Sequence, residues 1–362
     1  MGNLSNFVSQ FGIELEIQVL NENDASRIIR NSLSEFSITH DASIQSDIFL
    51  CNGLKLLQKP PSYLGYEPYT AGAEIISIPL EFNENSRELI KRLTYILETK
   101  GEPAESYRES LHIHIDCTYN LDILKNFVHL GRFLEDVLYY IGGQGYTHRG
   151  MVVNEFLYCR PITGNGPTVI ENGNGGMQVF TCDDLLKATS VNRFFNRLGG
   201  ACNSSISHMH PARYFYLNMY SLLAHHTLEF RVFNKTLNPE FIWAEVQFCR
   251  SFVRYAIKRA LDDAVLEGLP INSIFNGRSK KDIIGTLYEF SDVAKIKPDI
   301  VDVLTNIINL TPEITVPNRL LRTHTSFHPE FNYDDYKPTK ISPYDINSVT
   351  VDDIHSRRGE RS

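Results

Sequence analysis

The segment FGIELEIQV, residues 11–19, determines how the rest of the sequence is interpreted. Its odd-numbered residues are all apolar, whereas its even-numbered residues are glycine or polar and include Glu14 and Glu16. Alternation with a period of two is typical of a β-strand that buries one face. We therefore predict a strand with one face against the core and two carboxylates on the other.

Other segments along the chain share this design, each with an apolar face and a polar face. The polar positions are Glu74 in TAGAEIISIPL (70–80), His112, His114 and Asp116 in SLHIHIDC (110–117), and Thr227, Glu229 and Arg231 in HTLEFRVF (226–233). Carboxylates and imidazoles are common metal ligands, and arginine is a common phosphate ligand. The three strands that alternate most regularly, 11–19, 110–117 and 226–233, thus predict one polar surface with the chemistry of a binding site.

Helices are predicted between and after these strands from apolar residues at helical spacing. The predicted helices are 84–100, 122–141, 183–198, 239 to about 267, 280–293 and 297–309. The glycine-rich segment 161–176 predicts a mobile loop or flap and no regular element. From residue 333 the sequence is polar and aperiodic, which predicts a tail that is on the surface or disordered.

Composition excludes several classes of protein. The 362 residues carry a net charge of −8, which argues against broad nucleic-acid binding. No apolar stretch reaches the roughly 20 residues that a membrane span needs, and the first residues, MGNLSNFVSQ, have neither the basic region nor the apolar region of a signal peptide. The six cysteines contain no CxxC pair, so we interpret them as reduced core thiols. We expect a soluble, cytoplasmic protein that binds neither nucleic acid nor membrane.

The spacing of Glu14 and Glu16 points to a paired metal site. Residues two apart on a strand lie about 6.6 Å from each other, too far to chelate one ion easily but suited to two neighbouring ions. Oxygen ligands with one or two imidazoles favour Mg²⁺ or Mn²⁺ over a structural zinc. Simpler interpretations stay open at this point: a solvated sheet face, a core histidine with ordinary partners, or a weak ion pair between Glu229 and Arg231.

Other residues give weaker signals. Arg213 precedes the aromatic stretch YFYLNMY and suits either a phosphate or packing over the aromatic rings. His40 and Asp41 fit a turn better than a ligand pair. The sequence contains neither a Walker loop nor a nucleophile elbow, so P-loop nucleotide binding and covalent serine or cysteine catalysis have no support.

The order of these motifs resembles that of the amidoligase family, in the superfamily of carboxylate–amine ligases with a glutamine synthetase-like fold. The motifs, spread over residues 11–248, are FGIELE, HDAS, AGAEIISIPL, LHIHID, RYFYLN and LEFRVFNKTLN. The resemblance implies an α+β fold with a curved, mainly antiparallel sheet and helices packed on its convex face. It also implies a catalytic domain, which we place at 1–270. The residues after it have no match in the family, and their own pattern predicts a helical extension at 271–332 and the polar tail at 333–362.

The same resemblance implies roles for individual residues. Glu16 and Glu74 would bind the ion nearest the substrate. Ligands of the ion on the ATP phosphates would be Glu14, His112 and Glu229. Arg231, with Arg213 as a second candidate, would neutralise the transferred phosphoryl group, and His114 would lie beside the phosphates. Asn218 and Asp41 would lie near the bound substrates.

The activity that the resemblance implies is ATP-dependent amide formation through an acyl phosphate, with two or three Mg²⁺ or Mn²⁺ ions. The carboxylate and amine substrates would be amino acids, peptides or protein side chains, and the oligomeric state is open. Two other classes fit the residues: a metal-dependent hydrolase or phosphoesterase that uses the HxHxD strand, and a noncatalytic binding protein on a ligase-like fold. Mg²⁺-dependent ATP binding would distinguish the ligase from the hydrolase and from the noncatalytic binding protein.

Overall fold

The computed structural model describes residues 8–19, 22–40, 49–51, 54–56, 67–68, 71–100, 103–104, 109–143, 161–163, 168–171, 177–180, 182–198, 213, 215–262 and 264–313. The chain divides into two compact units. The first unit comprises Met1–Ile13, Pro79–Lys91 and Ser110–Phe331, and the second comprises Glu14–Ile78, Arg92–Glu109 and Asn332–Ser362.

Strands and helices are numbered in chain order. The strands are β1 (Gln10–Val19), β2 (Phe36–His40), β3 (Phe49–Cys51), β4 (Leu54–Leu56), β5 (Glu67–Pro68), β6 (Ala71–Ser77), β7 (Leu80–Glu81), β8 (Pro103–Ala104), β9 (Ser110–Asp116), β10 (Thr168–Glu171), β11 (Met177–Phe180), β12 (Leu217–Asn218) and β13 (Thr227–Asn234). The helices are α1 (Glu22–Ser32), α2 (Glu84–Lys100), α3 (Leu121–Gly142), α4 (Cys182–Leu186), α5 (Val191–Arg197), α6 (Ser221–His225), α7 (Pro239–Leu261), α8 (Lys280–Ala294) and α9 (Pro298–Leu310).

The first unit contains the strands β12, β13, β9 and the start of β1, in that order across a sheet. β13 pairs antiparallel with both β12 and β9, and β7 pairs antiparallel with the first residues of β1. The apolar residues of β9 and β13 are fully buried, as the alternation predicts. The mixture of helices with an antiparallel sheet confirms this part of the expected fold class.

Helices α3 and α7 cover the apolar face of this sheet. Phe230 of β13 contacts Phe252 of α7 edge to face, with ring centroids 5.3 Å apart, and Phe252 stacks on Phe127 of α3 at 6.2 Å. α3 begins after Asn120, whose side chain accepts the backbone N–H of Ile123 at 2.8 Å. Packing on this side leaves the opposite, polar face of β9 and β13 available for chemistry.

A β-bulge interrupts the pairing of β13 with β9. Phe230 lies opposite Ile113 and Phe233 lies opposite Leu111, so β13 has one residue more than β9 between these pairs. The last residue of α3 supports the bulge, because a Cβ at Gly142 would lie 2.2 Å from the Val232 carbonyl oxygen. Bulges redirect side chains next to functional sites, and the two residues of β13 within this bulge are Arg231 and Val232.

The second unit contains the remainder of β1, which pairs antiparallel with β6, while β6 pairs antiparallel with β2. α1 packs against β2 and β6. The buried carboxylate of Glu109 accepts the backbone N–H of Gln18 at 2.6 Å. Three short strands, β4, β3 and β5, form a separate antiparallel sheet.

Several predicted elements differ from the observed ones. Helix α2 is confirmed with its predicted bounds, but the single helix predicted at 183–198 is wrong, because Ser190 caps a new helix, α5, after α4 has ended. His40 ends strand β2 and does not form a turn. The interpretation of 161–176 as lacking any element is also wrong, since residues 168–171 form β10, which pairs with β11. The tail at 333–362 lies outside the described residues.

Helix α7 ends at Leu261, before the predicted end near residue 267. The buried side chain of Asn126 on α3 explains the difference. It donates to the carbonyl oxygens of Ala256 and Ala264 and accepts the N–H of Leu266, so it holds residues 264–266 in a non-helical path.

Among the helices of the described ranges, none is both long enough and apolar enough to cross a bilayer. Of the described cysteines, Cys117 and Cys249 are buried and free of disulfides. Burial raises the pKa of the Cys117 thiol to about 12, which keeps it protonated and unreactive.

Candidate functional site

Three residues from neighbouring strands form a row on the polar face of the first unit. Glu229 of β13 lies directly opposite His114 of β9 on one side and opposite Asn218 of β12 on the other. Side chains directly opposite each other on antiparallel strands are close enough to interact. The sheet register therefore brings together residues that are far apart in the sequence.

The carboxylate of Glu229 is at the centre of this row and is almost completely buried, with 3% of the residue exposed. Its Oε2 accepts a hydrogen bond from Asn218 Nδ2 at 2.6 Å, and its Oε1 accepts one from Arg231 Nη1 at 2.6 Å. The same Oε1 lies 3.7 Å from His112 Nδ1 and 4.0 Å from His114 Nε2. One oxygen atom thus faces two imidazoles and a guanidinium.

This environment differs from a solvated sheet face. Removing a carboxylate from water costs several kcal/mol unless charged or hydrogen-bonded partners compensate for it. Arg231 and Asn218 supply that compensation for Glu229, and the buried His112 adds a further polar group. An exposed ion pair within one strand needs none of these surroundings, so the geometry favours a functional site over the simpler interpretation.

Within the first unit, Glu229 and His114 present two potential metal-ligand atoms side by side. Glu229 Oε1 and His114 Nε2 lie 4.0 Å apart. A carboxylate beside an imidazole suits a hard divalent cation such as Mg²⁺ or Mn²⁺. The chemistry of these two residues therefore fits the ion that the sequence predicts, while Glu14 belongs to the second unit and its role as a ligand stays a prediction.

Glu16 and Glu74 form a second acidic pair in the second unit. They lie directly opposite each other on β1 and β6, and both are half-buried. Like charges directly opposite on neighbouring strands are destabilising unless a cation lies near them. The observed register is therefore compatible with their predicted role as ligands of one ion.

The remaining predicted residues are placed as follows. His112 is buried, and its Nε2 lies 3.0 Å from Ser110 Oγ. Arg213 is half-buried, and residues 211, 212 and 214 around it lie outside the described ranges, so its role stays a prediction. Asp41 also lies outside the described residues.

Asp116, the third polar residue of the HIHID motif, makes structural hydrogen bonds within the first unit. Its Oδ1 accepts the backbone N–H groups of Ser9 and Gln10, both at 2.9 Å, and its Oδ2 accepts the Ser9 hydroxyl at 2.8 Å. The carboxylate therefore holds the beginning of β1 beside the end of β9.

Three residues next to His114 had no functional role predicted from the sequence. Thr227 Oγ1 lies 3.1 Å from His114 Nδ1 and 3.0 Å from Ser221 Oγ. The ring of His225 contacts the His114 ring edge to face, with centroids 6.4 Å apart. Thr227 shares the polar face with Glu229 and Arg231, a signal that the alternation contained, whereas the position of α6 is a tertiary feature.

Comparisons with known proteins give one family match. A family model described as "Putative amidoligase enzyme" matches residues 7–253. No curated protein matches the chain.

Two of the solved structures that match the chain show weak likeness to it. A bifunctional glutathione synthetase from Pasteurella multocida is 12% identical, with a TM-score of 0.32 over 87% of this chain and 48% of that chain. PafA, the ligase of the prokaryotic ubiquitin-like protein Pup, crystallised in complex with Pup, is 10% identical, with a TM-score of 0.30 over 89% of this chain and 66% of that chain. The chain thus spans about half of the first protein and just under two thirds of the second, and these TM-scores carry no argument about fold or function.

Proposed function

Because the chain belongs to the amidoligase family, whose model covers most of it, we propose that it is an ATP-dependent carboxylate–amine ligase that uses Mg²⁺ or Mn²⁺. The single observation that supports the proposal most strongly is the buried carboxylate of Glu229. It contacts Arg231 and Asn218, and Oε1 faces two histidines. This set can bind a divalent cation and a phosphate side by side.

The proposal assigns the metal ligands to two groups. Glu14, His112 and Glu229 hold the ion on the nucleotide side, and His114 faces the same Glu229 oxygen. Glu16 and Glu74 hold the ion on the substrate side. Bound divalent ions would neutralise the charge of the phosphates and align them with the substrate carboxylate. The overall fold would be of the glutamine synthetase type, with the helices on the convex face of the sheet.

The proposed reaction has two steps. An oxygen of the substrate carboxylate attacks the γ-phosphorus of ATP, and the bond from that phosphorus to the bridging oxygen of ADP breaks. The amine nitrogen then attacks the acyl carbon of the resulting acyl phosphate, inorganic phosphate leaves, and the nitrogen loses a proton. Arg231, with Arg213 as a second candidate, stabilises the phosphoryl group in flight, since phosphoryl transfer depends mainly on charge neutralisation and alignment.

Hydroxylamine provides a test that does not require the natural amine. The full chain is incubated with MgATP, hydroxylamine and a panel of amino acids and short peptides, and ADP and hydroxamate are measured together. We expect equal amounts of both products for at least one carboxylate. Glu229→Gln should lower the rate about 100-fold or more, because a preorganised charged group is lost.

Glu240→Gln is the matched control for this experiment. Glu240 lies on α7 and pairs with Arg87 and Lys91 near the surface, so the same chemical change should leave the rate unchanged. Hydrolysis that needs a metal but consumes no ATP would identify a hydrolase and contradict the proposal. Full activity of Glu229→Gln on a substrate of the wild-type protein would contradict the proposed role of Glu229.

A further inference from the structure

A pair of hydroxyl groups lies behind His114, on the side away from Glu229. Thr227 Oγ1 is 3.1 Å from His114 Nδ1, and Ser221 Oγ is 3.0 Å from the same Thr227 oxygen. His114 Nε2 is the ring nitrogen that faces Glu229 Oε1, at 4.0 Å. The two nitrogens of this ring therefore face two different partners, a hydroxyl and a carboxylate.

The bonding state of one nitrogen of a neutral imidazole fixes that of the other. A nitrogen that binds a cation must be unprotonated, so the proton must lie on the other nitrogen and needs an acceptor there. If Nε2 binds the ion, Nδ1–H donates to Thr227 Oγ1. The Thr227 hydroxyl then uses its own proton to donate to Ser221 Oγ.

Ser221 also supports Glu229, through Asn218. Its backbone N–H donates to Asn218 Oδ1 at 3.3 Å, and Asn218 Nδ2 donates to Glu229 Oε2 at 2.6 Å. Ser221, Asn218 and Glu229 are all buried, which shields these hydrogen bonds from competition with water. The first residue of α6 therefore connects to His114 through Thr227 and to Glu229 through Asn218.

We infer that Thr227 and Ser221 are positioning residues, which hold His114 with Nδ1 protonated and Nε2 directed at a divalent cation on Glu229. The inference rests on the proposed metal site and adds His114 to its proposed ligands. It also gives a role to two residues, Thr227 and Ser221, to which the family match assigns none. Outer groups that orient a metal-binding histidine typically change metal affinity about 10- to 100-fold. The hydroxyl of Thr227 is the group whose removal tests this directly.

The experiment measures Mn²⁺ binding by electron paramagnetic resonance in the full chain after treatment with EDTA, without nucleotide. Thr227→Val removes the hydroxyl and keeps the branched shape, whereas Thr227→Ser keeps the hydroxyl. We expect Thr227→Val to raise the Kd for Mn²⁺ about 10- to 100-fold and Thr227→Ser to restore a value close to that of the wild type. Thr305→Val is the matched control, because the buried Thr305 hydroxyl oxygen has no hydrogen-bond partner among the described residues.

Nitrogen NMR of the histidine-labelled, Mg²⁺-loaded protein gives a second readout that a purely structural role would not change. The His114 signals, assigned with His114→Gln, should show a protonated Nδ1 in the wild type, and Thr227→Val should lose that state.

Different outcomes would contradict the positioning role of Thr227 and the metal site itself. If the wild type binds Mn²⁺ and Glu229→Gln does not, but Thr227→Val binds like the wild type, the positioning role is overturned and the metal site stands. A protonated Nε2 in the loaded wild type would also overturn it. If wild type and Glu229→Gln bind Mn²⁺ equally, the proposed metal site fails and the inference fails with it.

Discussion

At the scale of single residues, Glu135 is a completely buried acid outside the candidate site. It lies on α3, and its carboxylate accepts the backbone N–H groups of Ile162 and Thr163 at 2.9 and 3.0 Å and that of Ile274 at 3.3 Å. Ser273 and Thr163 add hydroxyl contacts. One side chain thus fixes two loop segments, yet burial raises the pKa of Glu135 to about 7 despite these donors.

The raised pKa of Glu135 predicts a loss of stability as the pH rises. Between pH 4.5 and 7 the folded state keeps a proton on Glu135 that the unfolded state releases, so stability falls over this range and levels off above it. The loss is at most about 3 kcal/mol. Glu135→Gln has no carboxyl group to titrate, so its free energy of unfolding should depend less steeply on pH.

Urea unfolding across this pH range measures the effect as the difference between the two proteins. The neighbouring Asp136, whose pKa burial raises to about 6, is present in both proteins, so its contribution cancels. A difference that stays constant from pH 4.5 to 8 would show that Glu135 does not titrate as described.

Some site residues could be predicted because a pattern within their own strand places them. Others could not, because their role depends on partners that are distant in the sequence. Glu229, His112, His114 and Arg231 follow from alternation within single strands, because a period of two fixes the face of each residue. Asp116 shares the face and the residue type, but its partners Ser9 and Gln10 come from a distant strand. No local pattern could assign Asp116 to that structural role.

At the scale of elements, the contact of α3 with the bulge of β13 depends on the absence of a side chain at Gly142. A Cβ there would lie 2.2 Å from the Val232 carbonyl oxygen and 3.3 Å from Phe233 Cα. Both atoms belong to backbone, which cannot move aside as a flexible side chain would. The helix end therefore fixes the stretch of β13 that follows Arg231.

Two glycine-to-alanine substitutions in helices should have opposite effects on stability. Gly142→Ala should destabilise the protein by about 1 to 3 kcal/mol, since overpacking against backbone outweighs the better helix propensity of alanine. Gly285→Ala in α8 should stabilise it by up to about 1 kcal/mol, because a Cβ there meets nothing within 4 Å. Thermal or urea unfolding of both variants tests the pair, and equal shifts of the same sign would contradict this packing.

Contacts between elements also determine which helices could be predicted. α2 follows from its own apolar spacing and is observed with the predicted bounds. The end of α7 could not be predicted in this way. Asn126, from another helix, forms hydrogen bonds with the Ala264 carbonyl oxygen and the Leu266 N–H, beyond the end of α7. The break between α4 and α5 had a local signal in Ser190, a favourable N-cap that continuous helical spacing obscured.

At the scale of the whole molecule, the net charge of −8 needs an explanation if the ligand is an anionic nucleotide. Carboxylates at a binding face would repel phosphates, but bound divalent cations reverse the local sign. Arg231, already in contact with Glu229, adds a positive charge at the same place. The proposed site is therefore selective for phosphates that arrive with a metal ion.

The family was predictable because the order of several short motifs is more specific than any one of them, and the family match confirms it. The substrates were not predictable, since the recognised motifs bear on phosphate and metal rather than on the acid or amine. The expected division into a catalytic domain, a helical extension and a tail stays a prediction, as do the number of ions and the roles of Arg213 and Asp41.

The most direct test of the central claim is anomalous X-ray diffraction from crystals of the full chain grown with MnCl₂ and a non-hydrolysable ATP analogue. We expect a manganese peak about 2.0 to 2.6 Å from a carboxylate oxygen of Glu229, with Glu14 and His112 or His114 as further ligands. Manganese bound only at other positions, with Glu229 contacting nothing but Arg231 and Asn218, would contradict it.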